Sequence, residues 1–269
     1  METKMMQKPQ FMRGVLTVKY KEYSTPHYIR VVLEGADLKN FTEANVGDNN
    51  KILIPKDKTK KLELPEQKGG GRLNSDDFWV RTYTLRSLDL EKGEMAIDFV
   101  MHGETGPASS WAIHAEKGDE LGVLMKAKSK PLFLPAEKYV LVGDHTAVPV
   151  ISVLLEKLPE DAIGTVLLEV YSKEDMLPLT KPNGVTLNWL INSNPGTTTN
   201  ILDAFATAVI DANTFVYAAA EFTVVKQLQE KLRKVSGLER KNWYAFSYWK
   251  YGKSEDASAK DRKELSHTE

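Results

Sequence analysis

Asp98–Ala112 reads DFVMHGETGPASSWA. An apolar run ends at His102-Gly103, and a Gly106-Pro107 turn follows. Ala108-Ser109-Ser110 then opens a helix, expected over Trp111–Glu116 with Ser109 or Ser110 as its cap. Backbone N–H groups at such a helix start favour an anion such as phosphate, and the two serine hydroxyls add donors.

Just upstream, Arg81–Arg86 reads RTYTLR. It alternates like a strand, which puts Arg81 and Tyr83 on one face. A guanidinium on that face suits a phosphate, bidentately, and the tyrosine ring suits a flat partner. Thr84 adds a hydroxyl or backbone donor. Alone, RTYTLR is most simply half-exposed sheet. Followed by the strand–turn–helix segment, it suits a flavin with a pyrophosphate tail.

Working outward, the first half of the chain reads as short strands joined by turns. Gly14–Tyr20, His27–Glu34, Lys51–Pro55, Val80–Leu85, Met95–Met101 and Glu120–Met125 are rich in β-branched and aromatic residues, the pattern of a barrel or sandwich. A polar loop from Lys56 to Asp77 contains Gly69-Gly70-Gly71 and reads as flexible surface. Near Pro135 the rhythm changes. Lys138–Val142 (KYVLV) is a continuous apolar strand of the buried parallel kind. It precedes a helix over Val148–Leu158, strands at Thr165–Tyr171 and Val185–Ile191, and a helix at Ile201–Ile210. A strand at Thr214–Ala219, a helix at Thr223–Val235 and a strand at Trp243–Trp249 complete the half. The expected fold is therefore a β-barrel flavin-binding domain over residues 1–135, followed by an α/β domain over 136–269 with a parallel, doubly wound sheet and a charged tail.

Composition narrows the chemistry. With no cysteine, disulfides, thiolate metal sites and cysteine nucleophiles are excluded, and the five histidines show no tight metal spacing. No metal site is expected. A formal net charge of -1 argues against a general nucleic-acid binder. No apolar run approaches a membrane span. The first residues, METKMMQKPQFMRG, lack the apolar core of a signal peptide, so a cytoplasmic protein is expected.

These motifs carry a family resemblance. RTYT resembles the flavin-binding strand of the ferredoxin-reductase superfamily. HGETGPASSWA resembles the signature of the siderophore-interacting proteins, FAD-dependent ferric-siderophore reductases. The likeness continues through Gly143–Pro149 (GDHTAVP), Ala219-Ala220-Glu221 and Tyr248–Gly252 (YWKYG), and so spans nearly the whole chain. The resemblance implies that the RTYT strand (Arg81, Thr82, Tyr83, Thr84) and the turn Gly106, Pro107, Ala108, Ser109, Ser110 bind FAD. Arg81 and the turn would hold the pyrophosphate, Tyr83 would stack on the isoalloxazine, and Thr84 would sit near its N5. His102 and Gly103 would contact the nucleotide part, with Trp111 in support. No protein acid or nucleophile is implied as catalytic.

The resemblance also implies a ferric siderophore as substrate and a monomeric protein. Loaded siderophores are often anionic, which makes Lys51, Lys126, Lys128 and Lys250 candidates for a basic cradle. NADH or NADPH is the expected donor if the turn Gly143–Ala147 accepts a dinucleotide. Asp144 stands in that approach path and is expected to repel a pyrophosphate, whereas Thr146 and the helix start favour it. The expected outcome is slow reduction by NAD(P)H, with reduced ferredoxin as an alternative donor. A flavin-dependent diaphorase and a non-catalytic siderophore-binding flavoprotein are the other readings.

Overall fold

The computed structural model describes residues 11–65, 76–104, 106–128, 130–255, 257–258 and 261. Gly69-Gly70-Gly71 and Thr105 lie outside the described residues, as does most of the charged tail.

The chain forms two compact units. One extends to Pro131 and the other begins at Leu132, except that Thr25–His27 belongs to the second. The division comes earlier than residue 135 because the following residues pack on the second unit. The Phe133 and Tyr139 rings meet edge to face at 5.8 Å, and Ala136 N donates to the Tyr139 hydroxyl at 3.1 Å.

The first unit holds β1 (Phe11–Thr25), β2 (Tyr28–Glu34), β3 (Asn49–Pro55), β4 (Phe78–Thr84), β5 (Ser87–Asp89), β6 (Glu94–Val100) and β7 (Glu120–Lys126), with α1 at Pro107–His114. The sheet order is β4-β3-β7-β1-β2-β6-β5. Its two outermost strands, β4 and β5, are consecutive in the chain and separated by only Leu85 and Arg86. The sheet must therefore curl until its edges are two residues apart, and Arg86 N donates to Ala96 O on β6 at 3.0 Å. Alternation supplies the interior: Leu16 and Val18, Ile29, Val31 and Leu33, Ile52 and Ile54, Ile97 and Phe99, and Leu121 and Val123 all point into one core against Trp111 and Ala112 of α1. Each fully buried side chain of this kind contributes about 1.5–3 kcal/mol.

The second unit holds β8 (Lys138–Gly143), α2 (Val148–Lys157), β9 (Ile163–Val170), β10 (Gly184–Ile191), α3 (Ile201–Ala206), β11 (Thr214–Glu221), α4 (Phe222–Leu232) and β12 (Trp243–Trp249). All its strand pairs are parallel, in the order β10-β9-β8-β11-β12. Val140 and Val142 of β8 face the core made with α3 and α4. A Cβ on Gly143 would strike Ala147 and Ile151, which places α2 against the other face. The sheet is thus covered on both faces, as its unbroken apolar strands require. The chain moves from β8 outward through β9 and β10, then returns to β11 and moves the other way. The carboxyl ends of β8 and β11 therefore flank the topological switch point.

Candidate functional site

In the first unit, β4 pairs antiparallel with β3 in the register Asn50↔Tyr83, Lys51↔Thr82 and Ile52↔Arg81. Directly opposed residues share a face. Arg81 and Tyr83 therefore share one with Asn50 and Ile52, and Thr82 shares the other with Lys51. The Tyr83 ring lies 4.5 Å from Phe99, which lies 5.5 Å from Trp111. This run of rings fixes Tyr83 against the core. The Arg81 guanidinium donates to its neighbour's carbonyl, Val80 O, at 2.7 Å. Thr84 is buried.

Helix α1 starts four residues before the expected Trp111. Its N-cap is Gly106 and Pro107 occupies the first turn. Proline is favoured there because its missing N–H would have had no helical partner. Ser109 and Ser110 are therefore inside the helix and do not cap it. Ser110 N donates back to Gly106 O at 2.9 Å, which leaves the N–H groups of Ala108 and Ser109 at the start of the helix, where Gly106 has no side chain to cap them. Ser109 is fully buried. Its hydroxyl donates to Gly103 O at 2.7 Å and accepts from His102 N at 3.3 Å. It holds the turn together, so the phosphate-donor expectation for its hydroxyl fails, while Ser110 remains half-buried. The His102 ring lies over Gly106 so closely that a Cβ there would come within 2.5 Å of its Cε1.

The candidate lysines each have their own surroundings. Lys51 donates to Thr82 Oγ1. It opposes Leu124 on β7, so Lys126, two residues on, shares its face. Lys128 is ion-paired to Asp48 at 3.3 Å. Lys250, in the second unit, is 2.6 Å from Asp261 and 4.2 Å over the Phe222 ring. Hydrogen bonds from Lys250 and then Lys253 pull the Asp261 carboxyl down to about 2.

At the switch point of the second unit, Asp144 is buried and its carboxylate is saturated. Oδ1 accepts from Thr146 N at 2.8 Å and from Thr146 Oγ1 at 2.6 Å. Oδ2 accepts from Glu221 N at 2.8 Å and from Trp249 Nε1 at 2.6 Å. The carboxylate thus ties the β8 turn to the ends of β11 and β12. The expected repulsion of an incoming pyrophosphate loses its basis, because the charge is turned inward and hydrogen-bonded. Thr146 likewise spends its hydroxyl on Asp144. Glu221 caps α4 by accepting from Thr223 N and Val224 N at 2.5 and 3.4 Å, and it also accepts from Tyr251 N at 3.2 Å.

Beside this knot the His145 ring lies 4.6 Å from Tyr171 and 5.4 Å from Trp249. The Tyr171 ring also meets His27, at 4.8 Å. Burial first, and then the nearby Asp144 and Asp175 charges, push the Tyr171 hydroxyl up to about 12. Asp175 is fully buried and accepts from Thr25 Oγ1, His27 N and Ser172 Oγ, with His27 Nδ1 at 2.8 Å. Burial alone would raise its carboxyl, but these hydrogen bonds outweigh it and hold the group below the usual range. Among the described residues no group of three His, Asp or Glu is placed to hold a metal, and no helix is long and apolar enough to cross a membrane.

Residues 136–252 match the siderophore-interacting protein family, and residues 17–127 match the siderophore-interacting FAD-binding domain. The chain belongs to the siderophore-interacting protein family. It is 34% identical over 248 residues to the ferric vibriobactin reductase ViuB of Vibrio cholerae, covering 90% of this chain and 91% of that protein. Among solved structures it resembles the siderophore-interacting protein SipS from Aeromonas hydrophila, with 30% identity and a TM-score of 0.80 over 95% of this chain and 98% of the other. A siderophore utilization protein from T. fusca gives 29% identity and a TM-score of 0.82, over 92% and 97% of the two chains. A ferredoxin NADP+ reductase from Neisseria gonorrhoeae, at 13% identity and a TM-score of 0.59 over 88% and 99%, shares the fold.

The residues present fit FAD. Arg81 and Tyr83 share a face of β4, and the helix start behind Gly106 offers backbone N–H groups with no capping side chain. One residue that sequence reasoning missed lies in the same place. Asn50, opposite Tyr83, is 1% exposed, and no protein group hydrogen-bonds its amide nitrogen or oxygen. Nothing in the run GDNNKILIP distinguishes Asn50 from Asn49. The difference is one of register, which places Asn50 inward and leaves Asn49 exposed.

Proposed function

We propose that the chain is an FAD-dependent oxidoreductase that releases iron in the cytoplasm by reducing Fe(III) held by a siderophore. The observation that carries this reading is that Arg81 and Tyr83 share one face of β4 in a unit whose α1 begins without a side-chain cap, within a family member similar to a ferric vibriobactin reductase. Bound FAD would supply the capacity to take a hydride and hand on electrons singly. The protein's part is placement. Arg81 and the α1 N–H groups neutralise the pyrophosphate, Tyr83 presents a ring already braced by Phe99, and Ser109 keeps the His102–Gly106 turn in shape. Ferric iron is the substrate; hard oxygen donors hold it far more tightly than ferrous iron, so one electron loosens it.

For the siderophore, the proposed basic cradle is Lys51, Lys126, Lys128 and Lys250. Lys128 and Lys250 already have carboxylate partners that an anionic ligand would have to displace. For the donor, NAD(P)H and reduced ferredoxin both remain in the proposal. The inward-turned Asp144 removes the electrostatic reason for disfavouring the nicotinamide nucleotides.

The test combines flavin retention with iron release. Purified protein reconstituted with FAD is reduced anaerobically, mixed with a ferric siderophore, and followed by stopped-flow flavin reoxidation and by trapping Fe(II) with a chromogenic chelator. Reoxidation with matching Fe(II) release is the expected result. Arg81→Ala removes a charge-assisted contact worth about 1.5–3 kcal/mol and weakens FAD binding by roughly tenfold or more. A reduced flavin that is inert towards ferric siderophores, or an Arg81→Ala protein that retains FAD as tightly as wild type, would sink the reading.

A further inference from the structure

Among the described residues of the first unit, two polar side chains are buried with no hydrogen-bond partner: Asn50, through both its amide nitrogen and oxygen, and Trp111, through Nε1. A buried amide without partners costs about 1–3 kcal/mol of lost solvation, and such a group in a folded protein calls for a partner from outside the polypeptide. Asn50 is the more informative of the two. It is 1% exposed on β3, directly opposite Tyr83, on the face that also carries Arg81. The next residues on that face, Ile52 and Ile54, are core aliphatics. An aliphatic side chain would satisfy position 50 on packing grounds alone, and the sequence places a carboxamide there instead.

We propose that Asn50 is a further FAD-binding residue, whose carboxamide recognises the pyrimidine edge of the flavin ring at Tyr83. This rests on the FAD reading given above. The chemistry matches. The flavin's pyrimidine edge carries an N–H flanked by two carbonyls, and a carboxamide offers one acceptor and two donors on adjacent atoms. The flanking residues Asn49 and Lys51 are exposed and half-buried, and the proposed contact requires the buried Asn50 side chain to rotate towards a ligand on Tyr83. Ring stacking on Tyr83 is tolerant of ring identity. A bidentate amide contact would add selection for a ring with an imide edge, and would bias the ring's reduction potential by favouring one redox form.

The experiment measures FAD binding by quenching of flavin fluorescence in wild type and Asn50→Val, together with the visible spectrum and reduction potential of the bound flavin and the thermal midpoint of each apoprotein. The expected result for Asn50→Val is FAD affinity lower by ~10-fold, the size of one or two neutral hydrogen bonds, with a shifted flavin spectrum and potential. Its apoprotein midpoint should equal or exceed that of wild type, since an unpaired buried amide has been removed. Unchanged affinity, spectrum and potential, with a lower apoprotein midpoint, would show that the amide serves an internal water and would overturn the proposal. A wild-type protein that binds no FAD overturns the FAD reading itself, a result distinct from the failure of Asn50 alone. Should Asn50→Val not fold, the side-chain amide resonances of Asn50 in isotopically labelled wild type decide the matter. They shift and become protected from solvent exchange on FAD addition if the contact forms, and stay in place if it does not.

Discussion

At the scale of single residues, Asp144 shows how far a sequence reading can carry a side chain and where it stops. Its position after β8 marks it as part of the switch-point turn, and the sequence shows that much. Its orientation is set by Glu221 and Trp249, 77 and 105 residues away, and no local pattern encodes such partners. A charge read as facing a ligand is therefore a buried clamp. Asp144→Ala would leave the Glu221 N–H and the Trp249 indole N–H without acceptors. Two orphaned buried donors at about 1–3 kcal/mol each imply a loss of roughly 2–6 kcal/mol, read from urea unfolding. A loss below about 1 kcal/mol would mean that water replaces the carboxylate and that the clamp is dispensable. Arg81 and Tyr83 were legible for the opposite reason: strand alternation is local, and it put them on one face before any partner was known. Asn50 was not legible, since its burial depends on the register in which β3 pairs with β4.

At the scale of elements, nearly every strand was visible as a β-branched run, and each lies where its alternation put it. The exception is β5, whose three residues are too few for a period-two pattern to register. Helix starts were read less well. Serines drew the expected start of α1 to Ser109 and Ser110, whereas Gly106 and Pro107 set it, and Ser109 turned back to bind the loop before it. The proline rule was available in the sequence and was outweighed by the serine rule. The α1 start yields a prediction that separates binding from folding. Gly106 has φ -90° and ψ 133°, which alanine also adopts, so Gly106→Ala incurs no backbone strain. The nearest atoms to the added methyl are those of the exposed His102 ring, which can swing aside, and alanine as N-cap costs about 1 kcal/mol. The displaced ring and the methyl both crowd the helix start. FAD affinity should fall by ~10-fold or more while the unfolding midpoint moves little. Equal losses in affinity and stability would place the pyrophosphate elsewhere.

At the scale of the whole molecule, the order of the two units follows from composition. A half rich in short alternating strands is followed by a half of continuous apolar strands separated by helices. The packing of Phe133 on Tyr139, which groups the residues just before β8 with the second unit, is a tertiary fact that no local pattern encodes. Stability should also carry a mark of the second unit's aromatic cluster at high pH. The Tyr171 hydroxyl is raised to about 12 in the folded chain from an ordinary value of 10.0. Its contribution to stability is fully present below pH 10.0 and is lost as pH rises towards 12, because the unfolded chain releases that proton first. Tyr171→Phe should therefore flatten the fall in unfolding free energy across this window, measured by urea titrations at successive pH values. Curves of equal slope for the two proteins would show that the phenol is solvated and titrates normally.

The turn at Thr25–His27 has a consequence for biosynthesis. Thr25 and His27 supply three of the contacts that satisfy the buried carboxylate of Asp175, yet they precede it by 150 and 148 residues. On a ribosome adding roughly 5–20 residues per second, the early segment emerges roughly seven to thirty seconds before its partner exists. The later half of the chain does not supply these three contacts from its own residues. A gene fragment starting at Leu132 would encode every strand of the parallel sheet and still leave Asp175 without Thr25 and His27. Recombination between relatives at the apparent boundary would therefore carry a hidden requirement for a matching hairpin tip far upstream.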